Sequence, residues 1–222
     1  MAFICFISCT KDSSNPVTHV FDVAGFNKII AGDDHEIIII KGTSFSVQAK
    51  GEASDLNDLR MLVNGETLKI DYPYYDHYRK RVHIIITMPE LSAAEFSGAA
   101  YGNIIGFHQP VSFTVNLSGN TNFSITTNTA LMDADVSGNA KLTVNGTAAS
   151  VIANISGQAK YNGYGMMETD NAVIKASGQA NVYVNVGKVF TADACGQSKI
   201  YYKGNPATKN ITQTGMAKVI NE

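Results

Sequence analysis

The densest group of residues able to make contacts or do chemistry is Tyr72-Pro-Tyr-Tyr-Asp-His-Tyr-Arg-Lys-Arg81. It puts Tyr72, Tyr74, Tyr75, His77, Tyr78, Arg79 and Arg81 into one short stretch. Tyrosine offers a flat apolar face with a polar tip, which suits protein interfaces and stacking on sugar rings. A loop folded back on the body of the protein, with its rings half buried, is the competing expectation. Single-stranded nucleic acid can use the same residue types. A net charge of −2 argues against that partner. The five histidines, at 19, 35, 77, 83 and 108, stand singly. Their spacing indicates no metal site and no cofactor, and Asp76-His77 is the place to look for one.

Polysaccharide lyases and hydrolases need clustered carboxylates, usually with Arg or Lys nearby. From residue 97 onward there is no Arg, and the carboxylates are Asp133, Asp135, Glu168, Asp170, Asp193 and Glu222. The i,i+2 spacing of Asp133 and Asp135 puts them on one strand face, but no second acid is close enough in the sequence pattern to pair with them. No catalytic residues are assigned.

The three cysteines make neither a disulfide framework nor a metal motif. Cys5 and Cys9 fall in the opening Met1-Ala-Phe-Ile-Cys-Phe-Ile-Ser-Cys9, an apolar run far too short to span a bilayer. The run is followed by polar residues and resembles the end of a bacterial lipoprotein signal, with Cys9 as the lipidated residue. No Lys or Arg precedes it, and a start placed too far downstream would explain that. A buried first strand is the alternative. The signal reading implies a domain tethered by lipid at a membrane surface, outside the cytoplasm.

The elements that hold these residues are legible from composition and repeats. In 222 residues there are 19 Gly and 19 Asn, only 5 Pro, no Trp, and 16% charged residues, against about 25% in an average chain. Such a chain has many turns joining short strands. From residue 97 a motif recurs: Ser97-Gly-Ala-Ala, Ser118-Gly-Asn-Thr, Ser137-Gly-Asn-Ala, Ser156-Gly-Gln-Ala, Ser177-Gly-Gln-Ala, Cys195-Gly-Gln-Ser and Thr214-Gly-Met-Ala. Its glycines, Gly98, Gly119, Gly138, Gly157, Gly178, Gly196 and Gly215, are 21, 19, 19, 21, 18 and 19 residues apart. Alternating runs such as Lys141-Leu-Thr-Val144 and Asn181-Val-Tyr-Val-Asn-Val186 lie between them and leave no room for a helix. A period near 19 residues fits one coil of a β-solenoid and is too short for a propeller blade.

Each Gly then supplies a corner needing positive φ or close packing. The residue two past it is always small. The residue just after it is an amide in five successive coils: Asn120, Asn139, Gln158, Gln179 and Gln197. Stacked at ~4.8 Å per coil, these are expected to exchange side-chain hydrogen bonds. Three past the Gly, Lys141 and Lys160 fall in adjacent coils, as do Lys199 and Lys218. This stripe is a solvated edge or a weak contact for an anionic glycan. Asp135 and Asp193 share a repeat position three coils apart, ~14 Å at one strand spacing per coil, too far to act together. Cys195 replaces the corner Ser and is read as a small corner residue.

Residues 17 to 96 carry strands without the motif, including Ile37-Ile-Ile-Ile40, Phe45-Ser-Val-Gln-Ala49 and Val82-His-Ile-Ile-Ile-Thr87, and a hairpin turn at Asn64-Gly65. Ser54 to Leu62 alone has helical character. The segment is either a set of irregular coils or a cap over the open end, which a solenoid needs. The organisation is therefore residues 1–16, a truncated signal and tether; 17–96, the N-terminal β segment; and 97–222, seven Ser-Gly-x-Ala coils.

Aligned on its repeats, the chain resembles the putative auto-transporter adhesin, head GIN domain family. The resemblance rests on Phe26-Asn-Lys-Ile-Ile30, Leu68-Lys-Ile70, Ile86-Thr-Met-Pro-Glu-Leu91 leading into Phe96-Ser-Gly98, the repeated Ser-Gly-x-Ala, and Tyr201-Tyr-Lys-Gly-Asn-Pro206. It spans roughly residues 20 to 220 and implies a right-handed parallel β-helix in a bacterial envelope protein. It brings no catalytic residues. The expected function is a non-enzymatic, adhesin-like binding or scaffold module whose ligand is a glycan or another surface protein. A polysaccharide-acting enzyme and a subunit that stacks end to end are the alternatives.

Overall fold

The computed structural model describes residues 15–74, 78–167 and 169–222. The chain is a β-solenoid: strands stack in parallel from coil to coil, and each coil covers two faces, either as two strands or as one long strand bent between them. The repetitive part starts with β8 (Ala93–Phe96) and β9 (Tyr101–Leu117), which follow seven N-terminal strands described below. It continues through β10 (Asn122–Val136), β11 (Lys141–Ile155), β12 (Lys160–Met167), β13 (Asn171–Ala176), β14 (Asn181–Asn185), β15 (Val189–Ala194), β16 (Lys199–Lys203), β17 (Thr208–Gln213) and β18 (Lys218–Asn221). The strand after each corner lies on the first face and the strand before it on the second. Along both faces, buried and outward residues alternate, as in β14 and β15, the mark of strands with one side on a core.

The corner explains the repeated glycine. Gly119, Gly138, Gly157 and Gly178 have φ between 71° and 74°. A Cβ on Gly157 would lie 2.7 Å from the carbonyl oxygen of Gly138. That same oxygen accepts the main-chain N–H of Gln158 at 2.8 Å, and the pattern recurs from Asn120 onto Gly98 at 2.7 Å to Met216 onto Gly196 at 2.8 Å. Each glycine is thus fixed twice, by its left-handed backbone and by the corner stacked against it. Ala100, Ala140, Ala159, Ala180 and Ser198 turn inward and are at most 1% exposed, so the inner corner admits only small side chains.

The expected ladder of five amides is corrected by the geometry. Asn139 Nδ2–H donates to Asn120 Oδ1 at 2.7 Å, but among the described residues Gln158, Gln179 and Gln197 do not continue the chain of bonds. All three are exposed, and water competes for their amides. Main-chain bonds carry the register instead.

The segment before residue 97 both joins the stack and closes it. Its elements are β1 (Val17–Phe21), β2 (Lys28–Ala31), β3 (His35–Lys41), β4 (Ser46–Gly51), α1 (Ala53–Asp58), β5 (Arg60–Asn64), β6 (Thr67–Asp71) and β7 (Val82–Met88). The coil formed by β2 and β3 lies between two others: β2 pairs with β6 and β8, and β3 with β7 and β9, all parallel. The chain therefore builds one coil, steps outward to make the β6–β7 coil, and returns through β8. Antiparallel strands finish that end: β4 on β7, β1 on β4 and β5 on β6. The helix between β4 and β5 puts buried Leu56 over the end of the core. It is shorter than the helical stretch expected at Ser54 to Leu62, because Arg60–Asn64 pair with β6 across the Asn64-Gly65 turn. Asp33, with φ 63°, holds the corner position in the β2–β3 coil, and its carbonyl accepts the Ala99 N–H at 2.9 Å. Aspartate tolerates this backbone better than most residues.

One ion pair at the cap sets an acid limit. Arg60 grips Asp71 with two hydrogen bonds of 2.8 Å, and Lys69 adds a third contact at 2.8 Å. The Arg60 hydrogen bond dominates in holding the Asp71 carboxyl down at about 2, against a smaller opposing effect of burial. A carboxyl held below its unfolded value of ~3.9 stabilises the fold above that pH, and the contribution is lost as the pH falls towards 2. Asp71→Asn is therefore expected to be less stable than the parent at pH 7 and to show a shallower loss between about pH 4 and pH 2. Urea midpoints at a series of pH values read this directly, and parallel curves for the two proteins would refute it.

Candidate functional site

The tyrosine segment links β6 to β7, so it occupies the corner of the outermost coil, in line with Asp33 and the glycines. Its C-terminal end is pinned. Arg79 Nη2–H donates to Asp58 Oδ2 at 3.2 Å, the Lys80 main-chain N–H to Asp55 Oδ2 at 3.0 Å, and Arg81 Nε–H to Asp34 Oδ1 at 2.8 Å. Lys80 also pairs with Glu52. The tyrosines divide between the two roles weighed from the sequence. Tyr72 is 5% exposed and lies under the Arg79 guanidinium, 4.3 Å from its ring centre. Burial, ahead of the nearby Asp55 charge, raises the Tyr72 hydroxyl well above its usual range. Tyr74 and Tyr78, in contrast, are 71% and 91% exposed. Tyr75 and His77 lie outside the described residues, as does Cys9 with its expected lipid.

Beneath this loop lies His35, a residue with no signal in the sequence pattern. It is 1% exposed, and neither ring nitrogen has a hydrogen-bond partner among the described residues. Its ring is 5.5 Å from that of Tyr72. Burial lowers its pKa against the opposing pull of Asp33 and Asp34, so it stays neutral. Together with Tyr72, Tyr78 and Arg79 it lines a hollow of about 220 Å³.

The lysine stripe is real as a column. Pairing registers run Tyr101, Asn122, Lys141, Lys160, Asn181, Lys199 and Lys218 from one coil to the next along the first face. A second feature stands beside it that the sequence reading missed. Tyr183 and Tyr201 are stacked with centroids 5.0 Å apart and planes 9° from parallel, and Tyr164 meets Tyr183 edge-on at 5.4 Å. Lys160 Nζ sits 4.9 Å from the Tyr183 ring centre, and Lys203 Nζ 4.4 Å from that of Tyr164. Extending the repeat alignment to the fifth residue after each Gly would have found Tyr183 and Tyr201. It would not have found Tyr164, which is the seventh residue after Gly157, two beyond the Asn162 that pairs with Tyr183.

The candidate carboxylates do not converge. Asp135 faces outward and is followed in register by Asn154, Lys175 and Asp193, so Asp135 and Asp193 are separated by two intervening coils. Asp135 Oδ1 accepts from Asn154 Nδ2–H at 2.7 Å. Partial burial first, and then Asp135, raises the pKa of Asp133. Cys195 is partly exposed at its corner, where its carbonyl accepts the Ser198 hydroxyl at 2.9 Å. It shares a shallow groove of about 420 Å³ with Asp135, Asn154, Lys175 and Asp193. Among the described residues no three His, Cys, Asp or Glu side chains gather as a metal site, and no helix is long and apolar enough to cross a membrane.

Solved structures share this fold. An adhesin described as putative from Bacteroides fragilis superposes with a TM-score of 0.86 at 20% identity, over 95% of this chain and 98% of that one. A putative adhesin from Parabacteroides distasonis gives 0.72 at 18% identity over the same shares. A protein from that organism described as a putative lipid binding protein gives 0.72 at 14%, again over 95% and 98%. These identities speak for the fold alone. No curated protein matches the sequence. The family model for the putative auto-transporter adhesin, head GIN domain, matches residues 25–206. With most of its length so matched, and its corners, strands and cap accounted for, the chain belongs to that family.

Proposed function

We propose that the protein is a non-enzymatic, adhesin-like binding module of the cell envelope, exported and tethered by a lipid on Cys9, which contacts a glycan or another surface protein through the tyrosine loop. One observation carries this reading: Arg79, Lys80 and Arg81 pin the C-terminal end of the segment and Tyr72 is buried at its start, while Tyr74 and Tyr78 stand out in solvent. Exposed aromatics on a preorganised loop lose little entropy on binding and bring large contact areas. The scatter of the carboxylates supports a role without catalysis.

The test is a panel of envelope glycans and purified surface proteins, immobilised and probed with the parent chain and with Tyr74→Ala/Tyr78→Ala. Retention by a panel member, weakened in the variant, is the expected result. Retention unaffected by the double change would remove the loop from the account. Release of reducing ends or unsaturated sugars from the same glycans would replace the binding module with an enzyme.

A further inference from the structure

The first face of the solenoid from β10 onward is charged out of keeping with the rest of the chain. Its outward positions carry Lys141, Lys160, Lys199, Lys203 and Lys218. Among the described residues the carboxylate near them is Glu222, which accepts a 2.7 Å hydrogen bond from the Tyr164 hydroxyl. None of these lysines has an ion-pair partner among the described residues. The second face holds Asp133, Asp135 and Asp193 against Lys175 and, on β17, Lys209. In a chain of net charge −2, folding has therefore gathered five lysines on one face, away from those three carboxylates.

The sorting is unfavourable in the protein by itself. Lys141 is directly opposite Lys160, and Lys199 directly opposite Lys218, each pair one strand spacing or ~4.8 Å apart. Like charges in direct cross-strand register destabilise a sheet. An Asn between the two pairs, at position 181, keeps the column polar. On one side of the lysines run the exposed corner amides, and a groove of about 460 Å³ lies between the two columns, lined by Gln179, Asn181, Gln197, Lys199 and Met216. On the other side stand Tyr183 and Tyr201.

The geometry points to a linear acidic polysaccharide, a polymer of uronic-acid type, lying along this face parallel to the solenoid axis. Its carboxylates meet the lysine pairs, and its hydroxyls meet the amides of Gln179, Asn181 and Gln197. Two pairs of cations in one straight column, each pair one strand spacing apart, match a charged polymer better than a scattered patch would. The columns are polar throughout and offer a bilayer no row of apolar anchors. Single-stranded nucleic acid needs open aromatic faces, whereas the Tyr183 and Tyr201 rings are already covered by each other and by Lys160. The inference adds a second surface to the proposed binding module and does not depend on the tyrosine loop.

The full chain is passed over immobilised alginate, with dextran as the neutral control, and the measurement is repeated with Lys141→Gln/Lys160→Gln, Lys141→Arg/Lys160→Arg and Lys175→Gln. Alginate is expected to bind and dextran not. The Gln pair should weaken binding about tenfold, the loss of two exposed charge contacts, while the Arg pair and Lys175→Gln keep it. Tyr74→Ala/Tyr78→Ala should bind alginate as the parent does, which separates this site from the loop. No alginate binding by the parent, or equal losses in Lys175→Gln and the Lys141/Lys160 Gln pair, overturns the inference and leaves the tyrosine loop to stand on its own test. Equal affinity for phosphatidylglycerol vesicles or for oligo-dT also overturns it, by making the face a general anion binder.

Discussion

Gly146→Ala is expected to destabilise the solenoid by about 3–5 kcal/mol, combining backbone strain with overpacking. Gly146 lies at the bend in β11, between its two faces, with φ 116°. A Cβ there would lie 1.9 Å from the Thr127 carbonyl oxygen and 2.9 Å from Asn128 Oδ1. Neither neighbour is free to give way. Thr127 is main chain in the adjacent coil, and Asn128 Oδ1 accepts both the N–H and the hydroxyl of Thr147, at 3.0 and 3.1 Å. Gly65→Ala is the matched control: φ is 58° and nothing lies within 4 Å of the added carbon, so only the strain of about 1–2 kcal/mol applies. Urea midpoints at unchanged m-value measure both. Equal losses at the two positions would mean that the close approach of the coils does not constrain Gly146.

Phe123→Ala should cost about 3–5 kcal/mol, the range for a buried aromatic cut back to a methyl. Phe123 is 1% exposed and stacks on Phe96 across the core, with centroids 3.9 Å apart and planes at 7°. Removing it opens a void next to a partner whose face is then uncovered. A change of opposite sign is expected two coils further on. Tyr161 is fully buried, and its hydroxyl has no partner among the described residues. An unmade hydrogen bond in the core costs about 1–3 kcal/mol, so Tyr161→Phe should raise the thermal midpoint. A lower midpoint for Tyr161→Phe would show that the hydroxyl is satisfied by buried water.

The corner glycines, the small residues behind them and the coil length were legible because each coil repeats the same local solution, and a repeated constraint shows itself as spacing. The same regularity misled for the amides. Position in the repeat puts Gln158, Gln179 and Gln197 in one row, but the solvent around an exposed side chain decides whether it bonds to its neighbour. At the cap there is no repetition to read. The β2–β3 coil is inserted between β6–β7 and β8–β9 because its faces bury best there, and nothing local in Lys28–Lys41 announces partners some forty or sixty-five residues away. His35 is invisible for the same reason: its environment is made by Tyr72 and the loop that crosses over it.

The amino-acid order by itself thus determined a β-solenoid with a glycine at each of the seven repeated corners and lysines in a shared column, since coil register follows from the repeat length. Tertiary structure alone decided which tyrosines of the loop reach solvent, that Tyr164 joins Tyr183 and Tyr201, and that the column's lysines have no ion-pair partner among the described residues. Those outcomes depend on which strands become neighbours across the cap and which charges fall on opposite faces. They are long-range consequences of burying one continuous core, which no window of sequence contains.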